Sequence, residues 1–149
     1  MKKETVKKSR GWFSKPIITD YFITKDGKTF LNEKEAIDWE WYLDNKDRIL
    51  KKYQFTDFSP LFMGLHHINK PIFANKFYVE TYNDETSKEL FSFVMGKIFE
   101  HTNKWTIQTA IVNTIEHKEA GWFYVVLDET HTGEFKVYVS EYINKINVE

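Results

Sequence analysis

Between Ile18 and Tyr53 the chain carries, in order, an apolar run, an Asp26-Gly27 dipeptide, a second short run and a long amphipathic segment, and few folds accept that order. Residues 17–24 are β-branched and aromatic, which favours a strand. Asp26-Gly27 is a tight-turn dipeptide that joins antiparallel strands, and residues 28–31 complete the hairpin. Asn32 then offers a helix cap, and Glu35 three residues later makes a capping-box-like pair. Ala36, Trp39, Leu43, Leu50 and Tyr53 fall on one helical stripe. Glu33, Glu35 and Asp38 lie near the start of that helix and Arg48, Lys51 and Lys52 near its end, as the helix dipole favours. Trp41 lies about 200° from Trp39 on a 3.6-residue helix, next to Ile37, and so faces a second layer or a partner.

The second half repeats the alternation of strand and helix. Residues 73–82 read as a strand. Thr86 with Glu89 reads as a second capping box opening a helix over 87–101, with Leu90, Phe91, Val94, Met95 and Ile98 on its stripe. Residues 105–115 alternate apolar and polar, residues 122–128 are apolar on both faces, and Phe135, Val137, Val139 and Ile143 share one face of a last strand. A strand apolar on both faces belongs at the centre of a sheet. The expectation is an α+β fold: an N-terminal β-hairpin plus helix, then β-α-β-β-β with an antiparallel meander packed against a helix. Residues 54–71, with Pro60, Gly64 and Pro71, read as a connecting loop with room for a helical turn, and as the place where a single domain over 17–149 would divide.

A chain of 149 residues with 42% hydrophobic content supports one buried core. Net charge is −1, which excludes a global field steering the chain to DNA or an anionic membrane. The balance is uneven. Lys2, Lys3, Lys7, Lys8, Arg10 and Lys15 against Glu4 give residues 1–16 a charge of +5, so the rest carries −6. That segment reads as a basic, flexible tail. There is no cysteine, so disulfides, thiolate metal sites and thiol nucleophiles are ruled out. No apolar run approaches the ~20 residues that span a bilayer, and no apolar stretch follows the first charges as in a signal peptide. A cytoplasmic location is expected. Lysine outnumbers arginine 19 to 2. Lys, Ile and Asn have AT-rich codons, which points to an AT-rich bacterial or phage genome.

The chain holds no GxSxG, GxGxxG, Walker loop, HExxH or EF-hand pattern. His66 and His67 would point to opposite faces of a strand; His101 ends a helix; His117 and His131 sit in turns, so no spacing gathers them round a metal. Glu116 with Glu119 and Asp128 with Glu129 are carboxylate pairs at strand ends, where acids also serve solubility. No cofactor, metal site or enzymatic activity is expected. What stands out is an excess of aromatics: 13 Phe, 8 Tyr and 5 Trp. Exposed aromatics are favoured at interfaces, and Trp12, Phe13, Trp41, Phe58, Phe62 and Met63 are the candidate partner-binding residues. Lys136, Tyr138 and Tyr142 would share the outer face of the last sheet as a platform for single-stranded nucleic acid.

The segment YFITKDGKTFLNEKEAIDWEWYL resembles a hairpin-helix pattern, roughly DGKxFxxxxEA, of small phage and mobile-element proteins of low-GC Gram-positive bacteria. Here the pattern rests on Asp26, Gly27, Lys28, Phe30, Glu35 and Ala36, and covers about 30 residues. Its strand-strand-helix order is shared with a zinc finger, but the metal ligands are missing. The resemblance implies a protein that acts by binding: an inhibitor of a bacterial host or defence protein, such as a CRISPR nuclease or another nucleoprotein complex, by occlusion. It transfers no site residue. The alternative is a nucleic-acid-binding accessory protein using the basic tail and the sheet aromatics. A homodimer through an edge strand or Trp41 is equally compatible with the sequence.

Overall fold

The computed structural model describes residues 1–9, 11–12, 15–103 and 120–142. It is an α+β fold with two helices and two antiparallel sheets among the described residues. The first sheet has the order β1 (Lys2–Lys8), β2 (Ile17–Ile23), β3 (Thr29–Phe30). Helix α1 (Glu33–Lys52) follows. The second sheet has the order β4 (Thr56–Asp57), β5 (Pro71–Val79), β6 (Gly121–Glu129), β7 (Phe135–Glu141), with helix α2 (Asp84–Phe99) between β5 and β6 in sequence.

The hairpin and first helix form where the sequence places them. The turn is a three-residue loop, closed by Gly27 N–H donating to the Thr24 carbonyl (2.9 Å) and Thr24 N–H to the Lys28 carbonyl (2.9 Å). Gly27 sits at φ 88°, which only glycine adopts cheaply. The same loop recurs between β6 and β7, where Gly133 N–H donates to Thr130 (3.0 Å) and Thr130 N–H to Glu134 (2.8 Å). Asn32 caps α1, its side chain accepting from Lys34 N (2.9 Å) and Glu35 N (3.3 Å). The buried stripe of α1 is Ala36, Trp39, Tyr42, Ile49 and Tyr53, with Leu43 and Leu50 only at its margin. Tyr42 takes the place expected of Leu43 because its ring stacks on Trp39 (centroids 5.4 Å) and its hydroxyl reaches Glu100.

Three details differ from the sequence reading. Residues 2–8, expected within a flexible tail, form strand β1, paired with β2 from Lys2↔Ile23 to Lys8↔Ile17. Their side chains are all exposed, so no burial pattern betrayed the strand; backbone pairing holds it. Helix α2 starts three residues earlier than expected: Asn83, not Thr86, is its cap, accepting from Thr86 N (2.9 Å). Residues 54–71 hold strand β4 as well as the helical turn that the sequence allowed, a 3-10 turn over Pro60–Met63. The strand apolar on both faces, β6, does lie centrally, but between β5 and β7. The expected strand at 105–115 lies outside the described residues, as do Phe13, Glu116, His117, Glu119 and Ile143.

Helix α2 is buried on most sides, through Leu90, Phe93, Val94, Met95, Ile98 and Phe99, as befits a helix with neighbours on more than one face. Phe93 touches Tyr42 of α1 (5.8 Å), Phe55 (5.0 Å) and Phe73 of β5 (5.7 Å), tying both helices to the second sheet. At the other end Phe30 meets Phe99 edge-on (5.4 Å), Lys28 donates to the Phe99 carbonyl, and Asn103 donates to Thr29 (2.9 Å). Both sheets therefore hang on one helix pair.

That pair crosses at Gly96. A Cβ built there would lie 2.0 Å from Cδ2 and 2.1 Å from Cγ of Tyr42, inside any tolerable contact. A helix-interior glycine usually gains about 1 kcal/mol on conversion to alanine; here overpacking reverses the sign. Gly96→Ala should destabilise the fold by about 3 kcal/mol. Gly133→Ala, strained only by its φ of 79° with no atom in the way, should lose about 1 kcal/mol. Urea unfolding of the two variants measures the difference, and equal losses would contradict the close crossing.

Candidate partner-binding surface

The loop between β4 and β5 lies on the outer face of the second sheet. It is pinned at its start by Phe58, whose N–H donates to the Ala74 carbonyl (3.2 Å) and whose ring meets Tyr124 edge-on (5.7 Å). In its middle His67 packs edge-on against Tyr138 (5.2 Å). At its end the buried carboxylate of Asp128 accepts from Lys70 N (2.6 Å) and Asn69 N (3.1 Å), and Lys70 pairs with Glu129 (3.0 Å). Backbone amides make good partners for a buried carboxylate, which water no longer serves.

Between these pins a 3-10 turn spans Pro60–Met63. Pro60 stands at its first position and Gly64 closes it at φ 73°. Phe62 N–H donates to Ser59 (3.0 Å), Gly64 N–H to Leu61 (3.1 Å) and Leu65 N–H to Pro60 (3.0 Å). With three residues per turn, Pro60 and Met63 share one side and are half-buried. Leu61 and Phe62 take the other side, 67% and 66% exposed. Two large apolar side chains are thus held in water, side by side, on a hydrogen-bonded turn.

The candidate residues do not form one cluster. Phe62 is on the knob, Met63 beneath it and Phe58 in the anchor. Trp12 is 98% exposed in the β1–β2 connection. Trp41 is half-buried against the core and walls a groove of about 520 Å3 with Arg48, Glu85, Lys88, Glu89 and Ser92. Leu61 was missed by sequence reasoning, although a Ser-Pro start and a Gly stop four residues apart mark such a turn. The outer-face platform is partly covered: His67 sits on Tyr138, and Lys76 lies over Trp122 (4.8 Å) and Tyr142 (4.9 Å).

Glu89 forms the floor of the Trp41 groove. It is buried and accepts from Tyr53 Oη (2.6 Å), Arg48 Nη1 (2.8 Å) and Lys52 Nζ (2.8 Å). Burial alone would raise its carboxyl, but the hydrogen bonds from Lys52, Tyr53 and Arg48 outweigh it and hold the pKa at about 2. Burial and the bond donated to Glu89 push the Tyr53 phenol up. Such a carboxylate is a weak base at neutral pH, and its three bonds, to Arg48, Lys52 and Tyr53, join α1 to α2. Asp128 is likewise occupied by backbone amides and Glu129 by Lys70. His66, His101 and His131 are exposed, and no three His, Asp or Glu side chains gather as a metal site among the described residues.

A carboxyl held below its unfolded value of about 4.5 stabilises the fold above that pH and loses the effect as pH falls toward 2. The loss should amount to roughly 3 kcal/mol. Glu89→Gln should lower stability at neutral pH by a similar amount and flatten the curve between about pH 4.5 and 2. Thermal unfolding against pH tests this; parallel curves for the two proteins would contradict it.

No protein-family model, curated protein or solved structure matches this chain.

Proposed function

We propose that the protein works by binding rather than by catalysis, as a phage or mobile-element inhibitor that occludes a surface of a bacterial host or defence protein. The observation that carries this reading is the Leu61–Phe62 knob, two exposed apolar side chains on a fixed turn. Interfaces draw most of their energy from a few large side chains that fill pockets on the partner, and a rigid turn loses little entropy on docking. The surrounding loop is anchored at Phe58, His67 and Asp128, so the knob can meet a partner without first ordering itself. Phage-like hairpin-helix residues at 26–36 and the absence of a catalytic signature in the sequence favour a bacterial protein as the target.

Capture with tagged protein from a nuclease-treated low-GC Gram-positive lysate tests the reading. Wild type should retain a stoichiometric protein. Leu61→Ala with Phe62→Ala should weaken that capture by at least about tenfold, since truncating a buried anchor costs ~2 kcal/mol or more. The variant should keep its melting temperature within a few degrees, because both side chains are solvated in the free protein. Equal capture by wild type and variant would remove the knob from the interface.

A further inference from the structure

The basic strand β1 creates a second surface of a different chemistry. Strand β3 covers β2 only at Phe22 and Ile23. Over the pairs Glu4↔Tyr21 to Lys8↔Ile17, β1 and β2 form a two-stranded ribbon with no third strand among the described residues. At about 3.4 Å per residue this ribbon is roughly 17 Å long. Residues paired across an antiparallel ladder share a face. Lys3 and Lys7 therefore stand on one face with Phe22 and Ile18, and Lys2 and Lys8 on the other with Ile23 and Ile17. All four lysines are exposed. Lys3 pairs with Asp20 (3.4 Å); Lys2, Lys7 and Lys8 have no acidic partner among the described residues.

Lysine on an edge strand guards against pairing with another chain, and one or two charges suffice for that. Here four lysines lie on the edge strand against Glu4 and Asp20: Lys7 and Lys8 on the free ribbon, one on each face, and Lys2 and Lys3 where β3 joins β2, in a protein whose remaining 133 residues carry −6. An acidic protein surface would meet one face of the ribbon. A nucleic-acid groove meets both, because phosphates form its two walls. The major groove of B-DNA is about 12 Å wide and admits a two-stranded ribbon, whereas that of A-form RNA is too deep and narrow. Ile18, 65% exposed, and Trp12, 98% exposed, add apolar groups toward the free end.

We infer that the β1–β2 ribbon is a nucleic-acid arm that enters a groove of double-stranded DNA. Binding is largely independent of sequence, since lysines act as point charges and the bidentate base readers, arginines, number two in the whole chain. The surface is separate from the Leu61–Phe62 knob, and either can fail without the other.

Fluorescence anisotropy with a short mixed-sequence duplex tests the arm. The expected result is micromolar binding in about 50 mM salt, with a log–log salt slope of about −3 to −4 for some four phosphate contacts. Lys7→Glu with Lys8→Glu should weaken binding more than tenfold, while Lys136→Glu on the second sheet leaves it unchanged. Lys7→Gln with Lys8→Gln guards against a charge-reversed ribbon that fails to pair; it should shallow the slope by about 2. The far-ultraviolet spectrum and melting temperature should match wild type in all three. Absence of duplex binding, unchanged affinity in both Lys7/Lys8 variants, preference for single strands, or equal displacement by polyglutamate would each overturn the inference.

Discussion

The crossing of α1 and α2 is the contact on which the rest of the molecule depends. Gly96 lets the Tyr42 ring lie directly on the α2 backbone, and no other residue type fits that gap. Two carboxylates fix the pair on either side of the crossing. Glu89 gathers Arg48, Lys52 and Tyr53 near the C-terminal end of α1, and Glu100 accepts from the Tyr42 hydroxyl. A buried carboxylate with three donors is costly to break because removing it leaves Tyr53 without its acceptor in the core. From this clamp the first sheet attaches at Phe99 and the second at Phe93.

The two surfaces proposed for binding are what the clamp leaves outside. The four-stranded sheet has one face in the core and would expose the other, but the 58–70 loop covers part of it and converts a flat face into a projecting knob. Among the described residues the first sheet is covered by the helices only near Phe22 and Phe30, and its outer half is a two-stranded ribbon. One surface is apolar and small, the other cationic and extended. Their chemistries suit a protein pocket and a phosphate backbone respectively, and a nucleoprotein target would offer both.

Much of the fold was legible in the sequence because burial writes a period. The hairpin turn, the capped first helix, the second helix and the central position of β6 all follow from apolar spacing or turn residues. The misses share a different cause. Strand β1 is held by backbone pairing with exposed side chains, so composition suggested a tail. Glu89 had the spacing of a capping partner, yet its side chain turns to Arg48 and Tyr53, 41 and 36 residues away in sequence. Tyr42 displaced Leu43 from the stripe because a glycine on the neighbouring helix made room for it. Long-range contacts of this kind leave no local pattern. The candidate surface was legible only in part: Phe62 and Trp12 are exposed, whereas Trp41 is part of a packed wall and Leu61 gave no aromatic signal.

A single helix clamp predicts that the two sheets unfold as one cooperative body, with the ribbon and the knob as its least protected parts. Native-state hydrogen exchange measures this residue by residue. Amides of α1 from Trp39 to Ile49, of α2 from Phe93 to Phe99 and of β6 should share one opening free energy, equal to that of global unfolding. Amides of β1 and of residues 59–65 should exchange through smaller openings. If β5, β6 and β7 keep their protection under conditions in which α1 and the first sheet have already exchanged, the clamp does not unite the fold and the account is wrong.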